Sequence, residues 1–253
     1  MRSKPPSVAW AKLARHATIT TENKSNAQTQ GALIWDLPTR LFHWLLVACF
    51  AGSWITAEAG FDWTEIHFLF GYTTLGLVLF RISWGFLGNR YARFSNFVAK
   101  PSTVAKSIPE MLDTTSERHA GHSPYGGYAV VLLLYFALAQ ATSGLFISDD
   151  ILYTGPYNGV VSNDLAGTLA WFHGLNFTLL QIMVGAHLVA ILWYRLRKRE
   201  ALVMPMLLGY KRASFESALP VSALKAVGVI LVCAAVIILL VQLAPEPSFD
   251  DYY

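Results

Sequence analysis

The chain has 253 residues, of which 54% are hydrophobic and 14% charged, and its mean hydropathy is +0.42. Soluble domains of this size carry about 25% charged residues, so the low charge excludes an ordinary water-bathed globule. Net charge is only +3, and Cys49 and Cys233 both lie in apolar runs without CxxC or CxxCH, which excludes a thiolate zinc site and covalent c-type haem attachment.

Residues 1–33 are rich in Ser, Thr, Asn, Gln, Lys and Arg and lack helical periodicity, so a flexible tail is expected there. The tail has no apolar core of the kind a secretory signal needs, and His16 within it is expected to be inert. Five apolar stretches follow. Each approaches the roughly 20 residues that a hydrocarbon core about 30 Å thick requires at about 1.5 Å per residue. The first runs from about Leu37 to Ala59, with Asp36 as N-cap and Pro38 in the first turn. The second covers about Thr64 to Leu87 and the third about Gly127 to Ile147. The fourth covers about Leu165 to Tyr194, with Asp164 placed to cap it, and the fifth about Ala226 to Ala244, broken only by Gln242.

Lys and Arg set the orientation. Arg2, Lys4, Lys12, Arg15, Lys24 and Arg40 precede or open the first span. Arg90, Arg93, Lys100, Lys106 and Arg118 lie between the second and third, and Arg195, Arg197, Lys198, Arg199, Lys211, Arg212 and Lys225 between the fourth and fifth. The opposite side has no basic residue and carries Glu58, Asp62, Glu65, Asp149, Asp150, Asp164, Glu246, Asp250 and Asp251. The expected topology is multi-pass, with the N-terminus on the cytoplasmic side and the C-terminus on the opposite side.

Four of the seven histidines fall inside spans: His43, His67, His173 and His187. Ionisable groups in a bilayer are costly and mark function. His173 and His187 are 14 residues apart on one span, within about 40° of the same face and about 21 Å apart in depth. His43 lies two turns into the rising first span and is therefore deep on the inner side, level with His187. His67 lies one turn into the descending second span and is level with His173. Two cross-helix imidazole pairs at matched depths suit two bis-imidazole metal centres stacked across the bilayer. Zinc prefers four ligands, or three with water, and no Asp, Glu or Cys is level with either pair. Two axial imidazoles are what a haem needs, because the porphyrin supplies the equatorial nitrogens. Gly52, Gly71, Gly76, Gly144 and Gly185 are small residues that would let a porphyrin approach.

PTRLFHW at 38–44, IHFLFGY at 66–72, FRISWGFLG at 80–88, GHSPYGG at 121–127, WFHGLNF at 171–177 and the second histidine of the fourth span form a set. Over about residues 33–212 this set resembles the bacterial cytochrome b-561 and nickel-hydrogenase cytochrome b family. The resemblance implies an all-α membrane protein, a four-helix di-haem transmembrane bundle plus a fifth transmembrane helix of the hydrogenase-type branch. It implies two non-covalent b haems with axial ligands His43 and His187, His67 and His173. It further implies electron transfer between the quinone pool and a redox partner. The expected organisation is a tail over 1–33, the di-haem core over 34–212, and the fifth helix with a short outer tail over 213–253.

Arg81, two turns from the inner end of its span, suits a haem propionate or a quinone carbonyl, or else snorkels to the surface. Arg40, one turn before His43, would also neutralise a propionate. His122, at the entry to the third span, reaches the inner haem or a quinone head group, or else is a solvated loop residue, as His119 is expected to be. Trp35, Trp44, Trp54, Trp63, Trp84, Trp171 and Trp193 read as an interfacial belt.

The leading functional expectation is a transmembrane electron conduit, the cytochrome b subunit of a quinone-linked oxidoreductase in a respiratory chain. Its partner on the outer side would be a separate protein, a cytochrome c, a hydrogenase or another periplasmic oxidoreductase, with homo-oligomers allowed and no nucleic-acid partner. A second reading is superoxide oxidation at the outer haem with reduction of quinone; the absence of outer cations speaks against it. A third, a histidine-based metal or proton transporter, lacks the mid-membrane acids and broken helices of that class.

Overall fold

The computed structural model describes residues 31–113, 118–148, 153–211 and 215–245. The expected tail, apart from Gly31 to Leu33, and the acidic residues Asp149, Asp150, Glu246, Asp250 and Asp251 lie outside them. Five helices are long and apolar enough to cross a membrane: α1 (Leu37–Glu58), α2 (Thr64–Leu87), α5 (Pro124–Gly144), α6 (Asn163–Leu196) and α8 (Ala223–Gln242). Short helices α3 (Phe94–Phe97), α4 (Pro101–Leu112) and α7 (Val203–Leu208) lie on the basic side. Within the five spans only 11–28% of the apolar windows is buried. Ile55, Leu69, Ile182, Val189 and Leu231 are each more than 60% exposed, which only lipid can make favourable. The protein is an all-α, multi-pass membrane protein.

Side-chain caps start three of the five spans. Asp36 caps α1, its Oδ1 accepting from the Thr39 N–H at 3.0 Å with Pro38 in the first turn, as the sequence predicts. α5 begins at Pro124, earlier than the apolar run suggests, because Ser123 caps it through the Gly126 N–H at 3.2 Å. The cap of α6 is Ser162, whose hydroxyl accepts from the Leu165 N–H. Asp164 is therefore not the cap. It lies inside the first turn, where a carboxylate still favours the helix dipole. Between α1 and α2 the chain reverses at Gly60, whose φ of 90° suits glycine, and enters α2 through a 3-10 turn at Phe61–Trp63.

Neighbouring spans pack as α1 on α2, α2 on α5 and α5 on α6, with α8 outside against α2. α1 and α6 meet through the rings of Phe50, Trp54 and Phe177, 5.8–6.2 Å apart between the helices. Gly76 lets Ile237 of α8 approach α2.

The basic end is closed by a small long-range cap. Strand β1 (Ala32–Leu33) pairs antiparallel with β2 (Tyr210–Lys211), Ala32 opposite Lys211. The N–H groups of Ile34 and Trp35 both donate to the Gly209 carbonyl. Lys211 forms a buried ion pair with Glu200 and donates to the His119 carbonyl at 2.6 Å. Two tryptophans depart from the expected interfacial belt: Trp84 is fully buried and Trp35 is 8% exposed, both packed in the core at this end. Their indoles fill the space between the spans and the cap, which leaves Trp44, Trp54, Trp63 and Trp171 facing outward.

Candidate functional site

At the acidic end, α2 and α6 bring His67 and His173 together edge to face, ring centroids 6.4 Å apart and planes at 65°. Each ring is held through its Nδ1. That of His67 lies 2.9 Å from the Ser53 carbonyl and 3.3 Å from the Thr56 hydroxyl. A carbonyl can only accept, so His67 Nδ1 carries the proton and donates. His173 Nδ1 lies 2.9 Å from the Ser143 hydroxyl, which itself donates to the Gln140 carbonyl at 3.0 Å and so accepts from the ring. In both imidazoles the unprotonated nitrogen is then Nε2, the tautomer of a metal ligand whose other nitrogen is fixed by an outer partner.

Two imidazoles on opposite sides of one metal would have ring centroids about 6.3 Å apart, from metal–nitrogen bonds of about 2.0–2.1 Å and about 1.1 Å from nitrogen to ring centre, a separation close to that of His67 and His173. Among the described residues no group of three or more His, Cys, Asp or Glu is placed to hold a metal ion, as a three- or four-ligand zinc site would require. Gly144 seats the His173 ring: a Cβ there would meet Cε1 at 3.3 Å. Of the other glycines, Gly71 and Gly185 face open space, whereas Gly52 is filled by Phe70.

At the basic end, α1 and α6 bring His43 and His187 close enough to interact electrostatically, and His122 and Arg81 join them. Arg81 is only 2% exposed. Its guanidinium lies over the rings of Phe94 and Phe97, 5.2 and 5.6 Å from their centroids, so it does not snorkel. Phe97 in turn packs on His122 at 4.7 Å, and Trp35 on its other side at 4.8 Å. His122 is thus not a solvated loop residue. Burial, then the neighbouring Arg81 and His187, push it down to about 3, so it is neutral at physiological pH. Arg40 donates to the Leu207 carbonyl and so also braces the cap.

Five buried polar atoms at this end have no hydrogen-bond partner among the described residues: Thr39 Oγ1, Arg40 Nε, His43 Nδ1, Arg81 Nη1 and His122 Nδ1. Buried donors are normally satisfied, so this concentration points to an acceptor-rich group such as a carboxylate or carbonyl. That chemistry fits a propionate-bearing macrocycle with imidazole ligands.

Sequence reading missed Ser53, Thr56 and Ser143, the partners of the acidic-end pair. It also missed Asn176, fully buried, which donates to Gln140 at 2.6 Å and to the Phe136 carbonyl at 2.9 Å. The available signal was the polar spacing itself: Gln140 with Ser143, and His173 with Asn176, three residues apart inside apolar spans.

Five long apolar helices facing lipid, two of which bring His67 and His173 together at the acidic end, make a membrane-spanning bundle with a half-buried histidine pair. The chain belongs to the prokaryotic cytochrome b561 family, whose sequence model matches residues 34–209. It is accordingly a transmembrane b-type cytochrome that takes part in electron transfer, and its family implies b-type haem. Comparison with curated proteins and with solved structures gives no match.

Proposed function

We propose that this cytochrome carries two b haems, one between His67 and His173 and one between His43 and His187, and conducts electrons across the bacterial inner membrane between the quinone pool and a separate periplasmic redox partner. The observation that carries the reading is the 6.4 Å separation of His67 and His173, with both Nδ1 atoms already bonded. Haem iron supplies the one-electron redox chemistry when bound.

The chain's own residues do the rest. Ser53 and Ser143 fix ring orientation and raise the basicity of their imidazoles. Arg81, with Arg40 and His122 beside it, offers donors to propionate carboxylates or a quinone carbonyl at the basic end. The basic side faces the cytoplasm by the distribution of Lys and Arg. The acidic side, with Glu58, Asp62 and Glu65, would dock a partner with a basic patch. A cavity of about 310 Å³ opens beside His67, lined by Thr56, Ala57, Gly60, Phe61 and Thr64. It carries no basic residue, which disfavours superoxide as its substrate.

The test is spectroscopic. Purified protein reduced by dithionite should show a b-type spectrum with two haems per chain by pyridine haemochrome. His67→Ala should remove one and leave the other reducible by quinol. One haem in the wild type, or two in the variant, would overturn the assignment.

A further inference from the structure

The junction of the core with the fifth span holds a second, basic cavity that electron transfer does not use. It measures about 430 Å³ and lies between the end of α2 and the start of α8, lined by residues 87–90, Arg93, residues 216–222 and Lys225. Three cations face one carboxylate there, Glu216, which pairs with Arg90. The lining is net +2. Arg93 spends its Nε on the Gly88 carbonyl at 2.9 Å, which orients the guanidinium, and its terminal nitrogens have no further partner among the described residues. Lys225 has no hydrogen-bond or ion-pair partner among them either. It lies in the first turn of α8, where the helix dipole opposes a positive charge, so helix stability gives no reason for it.

The cavity is built, not draped. The Ala218 N–H donates to the Leu33 carbonyl at 2.8 Å, and the Leu33 N–H to the Ser217 hydroxyl at 3.1 Å. The Tyr91 hydroxyl donates to the Glu216 carbonyl at 2.6 Å, and Asn89 Nδ2 to the Ile34 carbonyl at 3.2 Å. Leu219 in its lining is 84% exposed, and Leu224 and Phe86, chain neighbours of the lining residues Lys225 and Leu87, are 81% and 69% exposed. A cationic hollow with an apolar lip, on the basic side of a membrane protein, matches an amphiphile with an anionic head.

We infer that this cavity binds the phosphate headgroup of an anionic phospholipid, Arg90, Arg93 and Lys225 taking the phosphate oxygens while Leu219 and Leu224 lie along the acyl chains. The net charge of +2 favours a lipid with two phosphodiesters over one with a single phosphate. The bound lipid would pin α8 against α2.

Native mass spectrometry of the full-length, haem-loaded protein in detergent tests this, titrating cardiolipin, phosphatidylglycerol and phosphatidylcholine. Cardiolipin should bind tightest and phosphatidylcholine weakest. The variant R93Q/K225Q should weaken cardiolipin binding roughly thirtyfold, from about one kcal/mol per basic contact. K100Q/K106Q, the same charge change on the same side, should leave it within about twofold on that reasoning. The single variant K225Q, at an exposed position, gives an independent reading with a smaller loss in the same direction. Equal weakening by both double variants, or none by R93Q/K225Q, would overturn the site. Inorganic phosphate competing as well as cardiolipin would assign the cavity to free phosphate and overturn the lipid.

Discussion

Trp84 and Asp36 are joined across the basic end: the indole Nε1 donates to Asp36 Oδ2 at 3.1 Å while Oδ1 of the same carboxylate caps α1. One side chain thereby starts a span and fixes it to the end of the next. Asp36→Ala should lose the cap, about 0.5–2 kcal/mol, and leave the N–H of a fully buried indole unpaired, about 1–3 kcal/mol. Asp36→Asn, which keeps a capping oxygen, should cost less. Thermal unfolding in detergent, followed by circular dichroism, measures both. An Asp36→Ala protein that melts with the wild type would show that this contact has little weight.

Ser143 is the acceptor for His173 Nδ1. Ser143→Ala should leave that N–H unpaired and the imidazole less basic, and outer partners of this kind typically change metal affinity about 10–100-fold. In a potentiometric titration one midpoint should move upward, because a less basic ligand stabilises the ferric state less, and the other should hold. Two unchanged midpoints would remove Ser143 from the site.

Lys211 and Glu200 form a buried ion pair, 10% and 8% exposed, that ties β2 to the end of α6. Breaking such a pair from one side costs about 3–5 kcal/mol because the remaining charge is stranded, whereas removing both charges is far milder. Lys211→Met should therefore destabilise strongly, and Glu200→Gln/Lys211→Met should recover most of the loss. A double variant as unstable as the single one would argue that the His119 carbonyl contact, not the charge pair, matters most.

Burial, then Arg81 and His187, push His122 down to about 3 in the folded protein from the ordinary histidine value of about 6.5. Between those values the unfolded chain binds more protons, so stability falls as pH drops from about 6.5 toward 3. His122→Phe, which keeps a ring against Trp35 and Phe97, removes that proton uptake. The variant should gain relative to wild type as pH is lowered from 7 to 4, read as melting temperature. A difference that does not change with pH would show that His122 is not held neutral by burial.

The spans were legible because lipid selects for apolar length, and the helix-one cap because Asp36 and Pro38 are local signals. Ser162 was overlooked in favour of Asp164 since both are good caps, and only the backbone shows which oxygen reaches Leu165. Matching His67 to His173 needed only helix direction and rise, which sequence supplies. Ser53 and Ser143 as partners needed side-chain geometry, which it does not. The pairing of Ala32 with Lys211 was invisible for another reason: two-residue strands carry no periodicity, and their pairing depends on contacts far apart in the chain. Trp35 and Trp84 looked interfacial because they stand at span ends, yet the cap folds over them.

Phe50 of α1 and Phe177 of α6 bring their rings within 6.2 Å of each other, each about one helical turn nearer the middle of its span than Ser53 and His173. Neither ring offers a donor or an acceptor, so this contact gives a proton or an ion nothing polar to hold at that depth. Protons belonging to a reaction at either end would then be exchanged with the water on that side, and the voltage across the envelope would not drain along this contact.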